Sequence, residues 1–165
     1  MTGLKQQGKP ERTNRATPKA ASSSKPYALE MTASAEAVYQ DLYRKCKEAE
    51  ERGDLTSCHY TTFRMVQDTI KNVIQVNPLD KKYALAGDLS NIFRVKKGRM
   101  RICWIAASRG RTIVVLFISE TLRKEGDIND PYRVFASMVM SGQFDNIFGR
   151  LGVRIPHKQS PFEIQ

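Results

Sequence analysis

Residues 92–119, with the sequence IFRVKKGRMRICWIAASRGRTIVVLFIS, decide the fold of this chain. Apolar and polar residues alternate here with a period of two, which predicts strands over Ile92–Lys97, Arg99–Ala107 and Thr112–Ser119. The last two strands are separated by a short turn that contains Gly110, so we expect them to pair as a hairpin. The third strand is apolar on both faces and rich in β-branched residues, which predicts a central position with both faces covered.

Helical patterns flank these strands. Apolar residues recur at helical spacing from residue 34 to a stop at Gly53, and again from Phe63 to Ile74, just before Asn77-Pro78. A last helix is predicted to begin at the cap Asp130 and to end at Gly142. Its inner face is expected to consist of Val134, Phe135, Met138 and Val139. The pattern predicts an α+β fold, in which two N-terminal helices pack on a small antiparallel β-sheet and a C-terminal helix follows.

The 165 residues have room for one ordered domain. Residues 1–33 carry six Lys and Arg against two Glu and are otherwise rich in small polar residues, Gly and Pro. This composition buries too little apolar surface to offset chain entropy and predicts a disordered basic leader. The ordered domain is expected over residues 34–142, and residues 143–165 form a C-terminal tail to which the pattern assigns no element.

Several classes of protein are excluded by composition. No apolar run approaches the roughly 18 residues that a membrane span needs, and the first thirty residues lack the apolar segment of a secretory signal. We therefore expect a cytoplasmic protein. The three cysteines are widely spaced, which predicts reduced thiols rather than a disulfide framework. No metal site or cofactor is expected, since no second ligand pair accompanies Cys58-His59.

The chain is strongly basic, with 27 Lys and Arg against 17 Asp and Glu and a formal net charge of +10. Such an excess points to a polyanionic partner, most often nucleic acid. Residues 94–111 concentrate the charge in seven cations without an acid. These cations are Arg94, Lys96, Lys97, Arg99, Arg101, Arg109 and Arg111.

Strand alternation sorts these cations into faces. Arg94 and Lys96 share one face of their strand with Lys97 opposite, and Arg99 and Arg101 share one face of the next. If the two strands pair, a basic patch forms on one side of the sheet. It would suit phosphate, because the planar guanidinium grips two oxygens and stays charged. A solvated sheet face is the alternative interpretation.

The segment after the third strand, SETLRKEG over residues 119–126, adds further candidates. Arg123 could join the basic patch, and Glu125 is the local carboxylate. An ordinary ion pair of Glu125 with Lys124 or Arg123 is an equal alternative. The chain has only two histidines, so a ribonuclease built on two catalytic histidines is not expected.

A series of short motifs occurs in a fixed order within residues 60–142. They are Val76-Asn77-Pro78, Phe93-Arg94-Val95-Lys96, Gly98-Arg99-Met100-Arg101, Thr121-Leu122-Arg123 and Tyr132-Arg133-Val134-Phe135. In this order and spacing they resemble the YhaV family of bacterial toxins, within the RelE/ParE superfamily. The resemblance implies a RelE-like toxin domain and a small basic endoribonuclease that cleaves mRNA, free or on the ribosome, and stops translation and growth.

The resemblance also maps the family's cations onto Arg94, Lys96, Arg99, Arg101 and Arg123. We hypothesise metal-independent attack of the 2′-OH on the adjacent phosphate, with the Arg/Lys cluster, led by Arg101 and Arg123, stabilising the charge that develops. The base would be Glu125, or a lysine whose pKa its cationic neighbours lower. Lys96 is the lysine included among the expected catalytic residues. Lys97, Lys124 and Tyr132 complete the expected RNA-binding set.

The implied partner is a small antitoxin with a swapped-hairpin, AbrB-like domain, whose acidic segment would cover the basic patch. Two other functions stay open at this point. The same superfamily includes toxins that poison a protein target such as DNA gyrase, and a basic sheet also suits a non-catalytic RNA- or DNA-binding module.

Overall fold

The computed structural model describes residues 26–120 and 130–155. Its elements are β1 (Ala28–Met31), α1 (Ala33–Glu51), α2 (Cys58–Thr69), β2 (Phe93–Lys97), β3 (Met100–Ala107), β4 (Thr112–Ser119), α3 (Pro131–Met140) and α4 (Asp145–Leu151). A π-helical turn, Ile70–Ile74, extends α2, and two 3-10 turns, Lys81–Tyr83 and Gly87–Leu89, precede β2. The predicted α+β class and the strands β2 to β4 are confirmed, with strand ends within one residue of those expected.

The four strands form one mixed sheet in the order β1-β4-β3-β2. β3 is antiparallel to both β2 and β4, whereas β1 is parallel to β4, with Ala28 opposite Thr112. The expectation of a purely antiparallel sheet is therefore wrong at the β1 edge. The expectation of disorder over residues 1–33 is wrong for Ala28–Met31.

The pairing of β1 depends on a distant part of the chain, which explains why the pattern missed it. The strand has four residues, too few to establish a period. Immediately after it, the Thr32 hydroxyl donates to the carbonyl of Leu116 at 2.9 Å, 84 residues further along. The same hydroxyl accepts from the Ala35 amide and caps α1, so one side chain joins the strand, the helix and the sheet.

The helices α1 and α2 cover one face of the sheet, as predicted. Ser57 caps α2 by accepting from the Tyr60 amide, and Gly53 supplies the positive φ of +71° at which α1 ends. The sheet contributes Phe93, Val95, Met100, Ile102 and Trp104 to this core, and the helices contribute Leu42, Cys46, Phe63 and Val66. Trp104 is fully buried and its indole N–H donates to the Pro78 carbonyl at 2.9 Å.

The helices α3 and α4 cover the opposite face, so both faces of β4 are buried as its composition predicts. Phe135 and Val139 of α3 are fully buried, but Val134 is 39% exposed and does not belong to the inner face. The sequence assigned no element to residues 143–165, yet α4 lies there and packs through Phe148, beside Phe144.

An ion pair ties β1 to α4. The Arg150 guanidinium donates to both carboxylate oxygens of Glu30, at 2.7 and 3.3 Å. This hydrogen bonding holds the pKa of Glu30 below its usual range. In residues 26–120 and 130–155, no helix combines the length and the apolar composition that a membrane crossing requires.

Candidate nucleic-acid interface

The hairpin of β2 and β3 sets the geometry of the site. Lys97 pairs with Met100, so the turn between them has only two residues, Gly98 and Arg99. Gly98 has a φ of +54°, a conformation that suits glycine. From this turn the register follows along the hairpin: Lys96 lies opposite Arg101.

Arg94, Lys96 and Arg101 project from the same side of the hairpin, because their positions share the phase of the strand alternation. We call these three side chains the basic face. Lys96 is exposed, and the two arginines are half-buried. The intervening Val95 and Ile102 are buried against α1 and α2. The predicted division of this hairpin into a basic and an apolar side is confirmed.

The basic face is free of acidic partners within the described residues. None of its three cations takes part in any of the ion pairs formed there. The turn positions one guanidinium group, because Arg101 Nη1 donates a hydrogen bond to the Arg99 carbonyl at 3.1 Å. Within residues 26–120 and 130–155, no ion pair therefore neutralises these three cations.

Cys103 lies beneath these arginines. It is opposite Arg94 and two residues from Arg101, and it is 2% exposed. Burial raises the pKa of the Cys103 thiol to about 12, even though Arg94 and Arg101 both lower it. The thiol stays protonated at neutral pH and is not a nucleophile.

Tyr132 closes one side of the basic face. It lies in the first turn of α3, where Asp130 caps the helix by accepting from the Tyr132 amide at 3.3 Å. The guanidinium carbon of Arg94 lies 5.3 Å from the centroid of the Tyr132 ring, in a cation–π contact. The structure thus brings Tyr132 into contact with Arg94, another residue of the expected RNA-binding set.

Other predicted members lie elsewhere. Lys97 is on the opposite side of β2 from Arg94 and Lys96, as the alternation itself indicated. Arg99 is not a strand residue, because the tight turn uses it and β3 begins at Met100. The prediction that Arg99 and Arg101 share a strand face is therefore wrong.

The seven-cation stretch divides into two groups. Arg109 and Arg111 lie in or beside the turn from β3 to β4, beyond the far end of β3, roughly 20 Å from Arg101 at about 3.3 Å per residue. Arg111 stacks on the Tyr27 ring, with its guanidinium carbon 4.3 Å from the ring centroid.

Arg123, Lys124 and Glu125 fall outside the described residues. The flanks of that segment are described, and both lie at the basic face. Ser119, the last residue of β4, pairs with Arg101, and Tyr132 contacts Arg94. Lys82 and Tyr83, to which the sequence pattern assigned no role, lie near Arg94 and Tyr132. The adjacent basic and aromatic residues in Lys81-Lys82-Tyr83 were the available signal.

Comparison with known families identifies the group to which this chain belongs. Residues 30–153 match the YhaV toxin model, described as a toxin with endonuclease activity, of a toxin–antitoxin system. The chain belongs to the YhaV toxin family. The YhaV match runs from within β1 to just beyond α4, so it includes both elements that the sequence pattern missed.

Solved structures to which the chain is similar include a toxin–antitoxin complex and a toxin. For the toxin–antitoxin complex RelBE2 of Mycobacterium tuberculosis the identity is 18% and the TM-score 0.42, over 59% of this chain and 100% of that one. For a YoeB/ParE toxin of Agrobacterium tumefaciens the identity is 16% and the TM-score 0.43, over 58% and 99% of the respective chains. No curated protein sequence matches.

Proposed function

We propose that this YhaV-family toxin is an endoribonuclease that cleaves mRNA and thereby inhibits translation and growth. The observation that carries the proposal is the basic face, three cations on one side of a hairpin without an acidic partner in the described structure. The family description supplies the endonuclease activity. The assignment of RNA as substrate, the mechanism and a cytoplasmic site of action are part of the proposal.

The reaction is attack of a 2′-OH on the adjacent phosphate, without a metal ion or cofactor. It needs a base for the hydroxyl, stabilisation of the charge on the phosphorane, and a proton for the 5′-oxygen that leaves. Arg101 and Lys96 lie directly opposite each other, and like charges in that position destabilise a sheet. A phosphate placed between the two cations removes this repulsion. The fixed positive charge then stabilises the negative charge that develops on the phosphorane, which is usually the largest single contribution to such catalysis.

The residues that follow β4 complete the proposed machinery. Since β4 ends beside Arg101, Arg123 enters the proposal as a second cation on the scissile phosphate. Glu125 and Lys96 are the candidate bases. Arg94, Lys97, Arg99, Lys124 and Tyr132 bind the flanking RNA.

The deciding experiment compares two arginine variants. We expect Arg101→Ala to lower the single-turnover rate of RNA cleavage by about 10²–10³-fold, as the loss of one donor to a developing oxyanion does. Arg109→Ala removes the same side chain at the far end of β3 and should cleave at nearly the wild-type rate. Equal rates for Arg101→Ala and the wild type would contradict the proposed centre.

The same substrate tests the metal-free mechanism and the nature of the target. Cleavage should persist in EDTA, and a strict requirement for added Mg²⁺ would overturn the metal-free step. In bacteria, induced expression should produce new RNA 5′ ends that are absent with Arg101→Ala. Growth arrest without new ends would instead indicate a protein target such as DNA gyrase.

As a member of a toxin–antitoxin family the chain has an antitoxin as its partner. We propose an antitoxin with an AbrB-like domain whose acidic segment covers the basic face. Docking by complementary charge should make the association rate fall steeply as salt rises. An association rate that does not change with salt would place the antitoxin elsewhere on the toxin.

A further inference from the structure

A cleft of about 290 Å³ opens beside the basic face, between the segment before β2 and the first turn of α3. It is lined by Lys82, Tyr83, Ala84, Leu85, Ala86, Arg94 and Tyr132. Apart from Arg94 and Tyr132, none of these residues belongs to the site proposed above. The cleft therefore extends that site past the edge of β2.

Two tyrosines line the cleft, and each has a cation near its ring. The Arg94 guanidinium carbon lies 5.3 Å from the Tyr132 centroid, and the Lys82 Nζ lies 4.9 Å from the Tyr83 centroid. Lys82 also approaches the carboxylate of Asp80, at 3.5 Å. Arg94 is consequently the cation of the cleft with no acidic partner among the described residues.

Both tyrosines are held by the surrounding structure, Tyr83 against the core under α1 and α2 and Tyr132 against the core under α3 and α4. Tyr83 packs on Trp104, with ring centroids 5.8 Å apart. The next two residues pair with the strand edge, since Ala84 bridges to Phe93 and the Leu85 amide donates to the Ile92 carbonyl at 2.9 Å. On the other side, the capped first turn of α3 positions Tyr132. The walls are therefore formed before a ligand arrives, which reduces the entropy lost on binding.

Aromatic rings and arginine planes that flank an open cleft next to phosphate-binding cations are the features with which proteins hold unpaired bases. We propose that this cleft binds the base of a single-stranded nucleotide next to the scissile phosphate, with the base stacked on the Arg94–Tyr132 pair. This inference rests on the proposed function, because it takes RNA as the ligand.

The test measures the binding of a short RNA that cannot be cleaved, since each nucleotide carries a 2′-O-methyl group. Fluorescence anisotropy gives its affinity for the full chain, with the intact oligonucleotide and with versions that lack one base at each position in turn. We expect wild-type affinity to fall at one particular position, by about 5- to 150-fold, the range for one stacked base.

Variants assign that position to the cleft. Tyr132→Leu should lose a similar factor for the intact RNA and should become insensitive to removal of the same base, whereas Tyr132→Phe, which keeps the ring, should still lose affinity when that base is removed. Tyr43→Leu is the matched control, because Tyr43 is an exposed tyrosine on α1, over the opposite face of the sheet. The fluorescence of Trp104, the only tryptophan, checks that each variant is folded.

The outcomes separate this inference from the proposed function. Cleavage and tight binding of RNA without any base position that is coupled to Tyr132 would overturn the base-binding cleft and leave the nuclease intact. An abasic scan without a position-specific loss would do so even if Tyr132→Leu failed to fold. A chain that neither binds nor cleaves RNA would overturn both.

Discussion

At the scale of single residues, the three cysteines differ in access to solvent. Cys58 is exposed, whereas Cys46 and Cys103 are buried. At pH 8 a thiol with the raised pKa of Cys103 is ionised to about one part in ten thousand. We therefore expect one thiol per native chain to react rapidly with a disulfide reagent such as DTNB, and three after denaturation. Cys58→Ser should abolish the rapid phase, and rapid reaction of Cys103 would show that the sheet opens beneath the basic face.

The residue scale is also where sequence reasoning succeeded for the site. Alternation predicts that Arg94 and Lys96 share one face of their strand, because strands have a strict period of two. Arg101 joins that face through the pairing register of the hairpin. Arg99 was assigned to the wrong element because the predicted strand began one residue too early. A boundary shift of one residue moves Arg99 from the strand into the turn. The contact between Arg94 and Tyr132 could not be predicted, since it depends on how α3 lies across the sheet.

At the scale of elements, replacing either of two glycines by alanine should change the free energy of unfolding in opposite directions. An alanine at Gly98 would meet no atom within 4 Å, so its only cost is the positive φ of +54°. Gly98→Ala should therefore lower the free energy of unfolding by about 1–2 kcal/mol. Gly149 lies within α4, also in open space and without a positive φ. Gly149→Ala should therefore raise the free energy of unfolding by about 0.5–1 kcal/mol.

Urea denaturation followed by Trp104 fluorescence measures both changes. A stabilising effect of Gly98→Ala would mean that the two-residue turn is not formed as described. Because that turn sets the register of Lys96 against Arg101, the same variant should also cleave RNA more slowly, which Gly149→Ala should not do.

The elements that the sequence did not reveal share a physical cause. β1 and α4 are short, four and seven residues, so neither carries enough periodicity to be recognised alone. Each is stabilised by distant parts of the chain, and the ion pair of Glu30 with Arg150 joins them to each other. In contrast, β2, β3 and β4 follow one another in sequence, so their alternation and the turns between them can be recognised within one continuous stretch.

At the scale of the whole molecule, position should matter more than net charge. The chain carries +10 in total. Neutralising Arg94, Lys96 and Arg101 with glutamine should make the slope of log affinity against log salt less negative by about 2, at roughly 0.7 for each contact with single-stranded RNA.

A control removes the same charge from the opposite face of the molecule. Arg44, Lys45 and Lys47 on α1 form ion pairs with acids of the same helix. Their replacement by glutamine should leave the salt slope nearly unchanged. Equal slopes for the two triple variants would show that RNA is attracted by total charge and not by the basic face.

The parallel pairing of β1 with β4 has a consequence for the order in which a ribosome produces this protein. β1 is synthesised first, and its partner β4 lies about 84 residues further along the chain. At about 5–20 residues per second, synthesis of that length takes roughly 4–17 s. Until then the emerging chain has an unpaired edge, and α1 lacks the sheet on which it packs. A nascent toxin that stalls before Thr112 therefore cannot assemble its sheet, and the opposed Lys96 and Arg101 have no completed platform beneath them.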